Sequence, residues 1–224
     1  MRRIAAEFIG TFFLVFAGTG AIVVNDVSHG AITHVGIALT FGLVVLALVY
    51  TLGDVSGAHL NPAVTLGFVV ARRFPPRWAV AYVLAQCVGA ILASGCLRLL
   101  FPEHATLGAT SPAGSAAQSF VLEVLLTFFL MFVILSVSTG AKEKGITAGI
   151  VVGAVIALEA LFVGPICGAS MNPVRSLAPA FVSGHLDSLW IYLVAPTFGA
   201  LLAVGGCLCV QDRGCCLAPK ETCA

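Results

Sequence analysis

Six apolar runs constrain this chain more than any other feature of its sequence, because each is long enough to cross a lipid bilayer as a helix. A helical span needs about 20 apolar residues, whereas a strand of a transmembrane barrel needs only about 9–11. The runs cover residues 4–24, 31–52, 78–101, 119–139, 146–163 and 189–210. They take up more than half of the chain and leave no room for a separate soluble domain. The sequence therefore predicts an all-α membrane protein with six transmembrane helices.

The composition agrees with this prediction and excludes several other classes of protein. Of the 224 residues, 59% are hydrophobic and only 9% are charged, whereas soluble domains average about 25% charged residues. Such a chain cannot cover a soluble globule with polar side chains, which excludes a cytosolic enzyme and a disordered chain. The net charge of +1 provides no attraction to a polyanion, so no nucleic acid is expected as a partner.

The basic residues predict the orientation in the membrane. If the six spans alternate in direction, nine lysines and arginines fall on one side, and only Arg98 and Arg175 lie elsewhere. The nine are Arg2, Arg3, Arg72, Arg73, Arg77, Lys142, Lys144, Arg213 and Lys220. Because basic residues concentrate on the cytoplasmic side, we expect a multi-pass protein of the cell membrane with both termini in the cytoplasm. The first run is interrupted by Glu7 and lacks a clear cleavage site, so it is expected to be a retained span rather than a signal peptide.

The two halves of the chain resemble each other in three places and in the same order. Residues 7–14 match 123–130, residues 57–63 match 168–174, and residues 88–93 match 198–203. Each half contains three spans, an odd number, so the second copy must enter the membrane from the opposite side. This predicts an inverted 3+3 repeat, about 4–101 and 119–210, with its site near the midplane between the halves. Residues 1–210 are expected to form a single domain, followed by a cysteine-rich cytoplasmic tail at 211–224.

An Asn-Pro pair follows the second span of each half, and a short apolar stretch follows each pair, at residues 64–71 and 174–182. Asn is a preferred helix cap and Pro a preferred first helical residue. Asn61-Pro62-Ala63 and Asn172-Pro173-Val174 therefore each predict a helix start, and Pro179 predicts a kink or an early end of the second helix. About ten residues make about 15 Å of helix, half of a hydrocarbon layer of about 30 Å. Two re-entrant half-helices are expected to meet tip to tip at the membrane centre.

This arrangement predicts a pore for neutral molecules that both donate and accept hydrogen bonds. If each Asn oxygen caps its own helix, the NH2 groups of Asn61 and Asn172 stay free to donate to a passing oxygen. The segments before them are expected to be extended, with carbonyl oxygens lining the pore as acceptors. The candidate carbonyls are those of Gly57, Ala58, His59, Gly168 and Ser170. A cation meets the positive ends of both half-helices and is excluded.

On these paired motifs, with Arg175 after the second, the chain resembles the major intrinsic protein family of aquaporins and glycerol facilitators from residue 7 to about 210. The resemblance implies six tilted helices and two half-helices, with one pore per subunit of a homotetramer in the lipid bilayer. It also implies that Glu7 and Glu123, at matching places in the repeat, hold the re-entrant loops through backbone N–H groups. Val174 departs from the family's usual Ala. No cofactor and no metal are expected.

The family narrows its pore at four positions, which by register fall on Phe41, Ala160, Ala169 and Arg175. Water-selective members usually have His at the second of these positions, where this chain has Ala. The loss of an imidazole widens the constriction and favours larger neutral solutes. The surroundings of the second motif are similar to plant nodulin-like members, which conduct glycerol and neutral metalloid hydroxides. The resemblance implies a passive channel for water and small uncharged solutes, such as glycerol and arsenous acid, that excludes protons and ions.

Two other functions stay open, a strictly water-selective aquaporin and a secondary transporter. Secondary transporters also use inverted repeats and broken helices, but they need an acidic coupling site where two Asn residues are predicted here. An enzyme is not predicted, because Ser170 has neither a G-x-S-x-G context nor a partner His. Glu159, in the fifth span, is either a polar neighbour of the pore or a helix–helix contact.

Five cysteines cluster near the C-terminus, at Cys207, Cys209, Cys215, Cys216 and Cys223. Their spacing matches no known zinc pattern. Capture of a metal or metalloid, lipidation of a cysteine next to the membrane and an inert tail all stay open.

Overall fold

The structure, a computed structural model, describes residues 1–138 and 142–211, and of residues 142–146 only the backbone. Within these ranges the chain forms eight α-helices and no strand. They are α1 (Arg2–Val27), α2 (Thr33–Ser56), α3 (Pro62–Val70), α4 (Pro76–Leu100), α5 (Ala116–Val137), α6 (Lys142–Cys167), α7 (Pro173–Ser183) and α8 (Leu189–Val210). All except α3 and α7 are long and apolar enough to cross a membrane. The prediction of an all-α protein with six spans is confirmed.

The two short helices, α3 and α7, are nine and eleven residues long. Each begins with a proline after an asparagine cap, because the side-chain oxygens of Asn61 and Asn172 accept the N–H groups of Ala63 and Val174. This bond satisfies one of the donors that every helix start leaves unpaired. Pro179 does not end α7, which continues to Ser183.

The long helices pack closely, and the packing follows the sequence repeat. In the first half α1 packs against α4, and in the second half α5 packs against α8. A methyl group on Gly89 of α4 would overlap the carbonyl oxygen of Phe8, and one on Gly199 of α8 would overlap that of Val124. These two contacts are equivalent in the repeat, since Gly89 corresponds to Gly199 and Phe8 to Val124. The halves join along α2 and α6.

The elements define two faces of the molecule. We call the one that carries Arg3, Arg73 and Ser138 the N-terminal face, and the one that carries the connection at residues 101–115 and the start of α2 the distal face. Gln211 lies on the N-terminal face, where its amide donates to Ser136 over 3.3 Å. Because α3 and α7 start at the same depth between these faces, their first turns are the central feature of the interior.

Candidate transmembrane channel

Three cavities follow one another between the two faces. A central channel of about 60 Å³ is lined by Asn61 and Asn172. It shares His59 with a vestibule of about 390 Å³ on the N-terminal face. At its other end it shares the predicted filter residues Phe41, Ala160, Ala169 and Arg175 with a distal vestibule of about 440 Å³. A site for one water molecule needs roughly 10–15 Å³ by this measure. The channel therefore holds only a few waters between the two larger vestibules.

The two Asn side chains join the tips of the half-helices at the centre of this channel. The amide nitrogen of Asn61 donates to the carbonyl of Met171 over 2.7 Å, and that of Asn172 donates to the carbonyl of Leu60 over 2.9 Å. This differs from the prediction that both NH2 groups stay free. An amide nitrogen carries two hydrogens, so one hydrogen of each Asn remains for a molecule in the channel.

Glu7 lies behind the first re-entrant loop and is fully buried. Its two carboxylate oxygens accept the backbone N–H groups of His59 and Leu60, at 3.0 and 2.8 Å, the Ser56 hydroxyl at 2.7 Å and the Gln86 amide at 2.8 Å. Four donors around one carboxylate compensate for the large cost of taking the charge out of water.

Glu123 has the equivalent place behind the second re-entrant loop and is also fully buried. It accepts the backbone N–H groups of Ser170 and Met171, at 2.7 and 2.8 Å, and the Cys167 thiol at 3.4 Å. The two glutamates therefore hold equivalent backbone groups in the two halves.

The re-entrant loops were expected to be extended, but they contain repeated left-handed residues. Ala58 and Leu60 have φ of 46° and 51°, and Ala169 and Met171 have φ of 39° and 53°. Left-handed residues between ordinary ones bring successive N–H groups together on one side, where they bind an anion. In both loops that anion is a glutamate. Of the five predicted carbonyl positions, Ala58, His59 and Ser170 line the channel, Gly57 lines the N-terminal vestibule and Gly168 the distal one.

The four positions predicted as the filter bring together one arginine, one aromatic ring and two small residues between the channel and the distal vestibule. The Arg175 guanidinium carbon lies 4.9 Å from the centre of the Phe41 ring, a cation–π distance. Its Nη1 donates to the carbonyl of Gly108 over 2.8 Å. Sequence reasoning did not find Gly108, because the residues around it form no motif and its carbonyl comes from a connection distant in sequence.

His59 lies at the other end of the channel, within an aromatic cluster. Its ring stacks on Phe68 with centroids 4.7 Å apart, and Phe74 and Tyr82 lie at 4.8 and 5.2 Å. Its Nδ1 lies 3.1 Å from the Thr65 hydroxyl. The side chain is thus held in place where the channel opens into the N-terminal vestibule.

Three other predicted positions have clear locations. Glu159 is 1% exposed, lines none of the three cavities, and neither carboxylate oxygen has a partner among the described residues. Val174 is buried in the same apolar core as Leu60, so the larger side chain is accommodated beside the half-helix tips. Cys207 and Cys209 end α8, whereas Cys215, Cys216 and Cys223 lie outside the described residues.

The chain is similar to known proteins along most of its length. A sequence profile described as major intrinsic protein matches residues 1–205. Aquaporin NIP1-1 of Oryza sativa subsp. japonica is 52% identical over 202 residues, which cover 90% of this chain and 71% of that protein. Nodulin-26 of Glycine max is 50% identical over 202 residues, which cover 90% of this chain and 74% of that protein. The X-ray structure of the aquaglyceroporin from Plasmodium falciparum matches with a TM-score of 0.81 and 27% identity, over 90% of this chain and 93% of that one.

Proposed function

The chain belongs to the major intrinsic protein family and is a multi-pass membrane channel for water and small solutes; from this premise we propose that its solutes include glycerol and neutral metalloid hydroxides such as arsenous acid. The observation that carries the proposal is the pair of alanines, Ala160 and Ala169, in the filter with Phe41 and Arg175. Two methyl side chains leave room that an imidazole takes up in water-selective relatives. A solute wider than water therefore fits beside the Arg175 donor groups.

We propose that the same channel excludes protons and ions. The N-terminal ends of α3 and α7, which are positive, both lie at the channel centre, and Arg175 adds a full positive charge at the filter. A cation loses hydration water in a channel of about 60 Å³ and is repelled there by two positive helix ends and the Arg175 guanidinium. A neutral hydroxyl compound instead accepts from Asn61, Asn172 and Arg175.

The individual residue roles are part of this proposal. Glu7 and Glu123 support the loops, and the filter is the set of four residues named above. The central motifs comprise Asn61, Pro62, Ala63, Asn172, Pro173 and Val174, and the acceptors are the carbonyls of Gly57, Ala58, His59, Gly168 and Ser170.

We also propose an arrangement in the cell. Residues 1–210 act as one channel domain, in a homotetramer, with the cysteine-rich tail at 211–224 and both termini on the cytoplasmic side of the cell membrane. The basic residues Arg3 and Arg73 at the N-terminal vestibule support this orientation. The distal vestibule and the filter then face outward.

Swelling of proteoliposomes tests the solute range. We expect the wild type to pass water, glycerol and arsenous acid, and Ala160→His to pass water but lose glycerol, because the imidazole narrows the filter and restores a polar donor. Ala160→Ser is the matched control, since it keeps the side chain small and is expected to retain glycerol flux. Water flux without glycerol flux in the wild type contradicts the proposal and favours a strictly water-selective channel. Accumulation of solute against its gradient contradicts passive transport and favours a secondary transporter.

A further inference from the structure

The carbonyl group that holds Arg175 belongs to the connection between α4 and α5, residues 101–115. Arg175 donates to Gly108 of this connection over 2.8 Å. Gly108 has φ of 74°, and a methyl group on it would approach the Thr19 side chain to 3.0 Å. The carbonyl is therefore presented by a tight left-handed turn that packs against α1. An interaction that holds this turn in place therefore also holds the Arg175 side chain in place.

His104 fixes the turn from within the same connection. Its Nδ1 accepts the backbone N–H of Leu107, next to Gly108, over 3.0 Å. Its Nε2 lies 3.2 Å from a carboxylate oxygen of Asp26, near the end of α1. Because Nδ1 accepts a hydrogen bond from a backbone N–H, the ring proton of the neutral imidazole must be on Nε2, which donates to Asp26. The side chain of His104 is only 8% exposed.

We propose that His104 is a positioning residue for the filter arginine, and that proton binding to His104 lowers the solute permeability of the channel. A proton on Nδ1 turns this atom from an acceptor into a donor, which then faces the N–H of Leu107, also a donor. The bond to Leu107 is lost, whereas Nε2 keeps its bond to Asp26. The His104 ring remains bound to Asp26 of α1, but the turn that carries Gly108 is no longer bound to the ring.

The effect on the filter follows from the space around Arg175. Without the carbonyl of Gly108, the contact that the guanidinium keeps on that side, among the described residues, is the one with the Phe41 ring. The open space within its reach is the part of the filter lined by Ala160 and Ala169. The guanidinium moves into that space and reduces the opening for solutes.

Among the described residues, three charged groups lie near His104. They are the carboxylate of Asp26 from α1, the neighbouring Glu103, and Arg98 of α4, whose guanidinium donates to the backbone carbonyl of His104 over 2.7 Å. The ordinary titration of histidine side chains falls between about pH 5 and 8, which sets the range for the test.

The inference rests on the proposed function, because glycerol flux is its readout. Proteoliposomes are measured with the same pH on both sides, at about pH 8 and at about pH 5. We expect the glycerol permeability of the wild type to fall about five-fold at the lower pH, the population change produced by the net loss of one hydrogen bond. His104→Asn supplies an oxygen near the place of Nδ1 that accepts the Leu107 N–H but does not titrate. This variant is expected to keep its pH 8 permeability at both pH values, and His104→Ala to resemble the acidified wild type throughout.

Matched controls are His29→Asn and His185→Asn, two exposed histidines near the distal face, which are expected to keep the wild-type response. His29 has φ of 54°, and Asn tolerates this left-handed backbone. A pH response that persists in His104→Asn, or a wild type whose flux does not change with pH, overturns the inference while leaving the proposed function intact. Absence of glycerol flux at both pH values, with water flux retained, instead contradicts the proposed solute range. Circular dichroism at pH 8 verifies that each variant is folded.

Discussion

At the scale of single residues, the width of the proposed filter depends on three positions with small side chains or none: Gly18, Ala160 and Ala169. Gly18 of α1 leaves the space that the ring of Phe41 occupies, since a methyl group on Gly18 would overlap three atoms of that ring. The ring can therefore lie back against α1 while Arg175 lies over it. On the other side, Ala160 and Ala169 contribute only methyl groups. A carbon atom added at Gly18 must therefore displace the Phe41 ring.

We predict that Gly18→Ala narrows the filter. The added methyl group displaces the Phe41 ring toward the channel, and overpacking of this kind costs about 1–3 kcal/mol. Glycerol permeability is expected to fall several-fold and water permeability less, as measured by stopped-flow light scattering of proteoliposomes.

The control for this prediction is Gly20→Ala, on the same helix, where the nearest side-chain atom lies at 3.4 Å, on Leu97. We expect this variant to conduct like the wild type. Equal glycerol flux in Gly18→Ala and Gly20→Ala contradicts the role assigned to Gly18.

The residues at the distal end of the channel differ in how well the sequence predicts their location. The positions of Phe41 and Arg175 beside the channel could be predicted, because their distances from the Asn-Pro pairs match a known family pattern. Gly18 and Gly108 could not, because a glycine that makes room for a ring, or presents a carbonyl, has the same sequence appearance as any other glycine. The unpaired carboxyl of Glu159 also has no explanation in the described contacts.

At the scale of elements, α6 shows how a helix beside the filter tolerates a proline. Pro165 lies inside this helix and has no N–H for the carbonyl of Leu161, four residues earlier. The Nε2 atom of His34, at the start of α2, lies 2.8 Å from that carbonyl oxygen. The imidazole thus replaces the missing backbone donor and ties α2 to α6 at the distal vestibule, which His34 and Pro165 both line.

We predict that His34→Ala is much more destabilising when Pro165 is present than when it is replaced by alanine. Loss of the imidazole leaves a carbonyl without a donor, at a cost of about 1–3 kcal/mol. Pro165→Ala restores the backbone N–H, so the same substitution in that background is expected to cost much less. The double-mutant cycle is measured as the unfolding free energy in detergent.

An additive cycle contradicts this pairing, since it means that the His34 ring contributes nothing through the Leu161 carbonyl.

The start of each half-helix could be predicted from sequence because capping is a local signal: asparagine, proline and an apolar stretch lie together. The bond between His34 and Leu161 could not, because 127 residues separate them. For the same reason, the sequence did not predict that the connection at residues 101–115 contacts Arg175.

At the scale of the whole molecule, the sequence repeat becomes a repeat of close helix contacts. Gly89 and Gly199 let α4 and α8 approach the carbonyl oxygens of Phe8 and Val124, one residue after the glutamates that hold the loops. The position of each loop is thus linked to a close helix–helix contact in its own half. The repeat could be predicted from three matched segments, but which matched residues touch required the structure.

We predict that Gly89→Ala and Gly199→Ala are both destabilising and to a similar extent. In each case the methyl group meets a backbone carbonyl that cannot move aside, and overpacking costs about 1–3 kcal/mol. Gly95→Ala and Gly205→Ala are the controls on the same two helices, because a methyl group there has no neighbour within 4 Å among the residues that the structure describes. These are expected to raise the Tm, since alanine favours a helix over glycine by about 1 kcal/mol.

The measurement is thermal unfolding of the purified protein in nanodiscs. A large difference between Gly89→Ala and Gly199→Ala contradicts the equivalence of the two halves. A Tm in either variant as high as in its control contradicts the close approach itself.

The exchanged bonds between Asn61 and Met171, and between Asn172 and Leu60, impose an order on biosynthesis. The carbonyl of Leu60 receives its donor from a residue translated 112 positions later, several seconds or more at about 5–20 residues per second. Until then the nascent first half has an unsatisfied polar group that costs several kcal/mol in lipid. During synthesis the first re-entrant loop must therefore remain in contact with water or the insertion machinery. It can reach its final depth in the membrane only after the second half has been inserted.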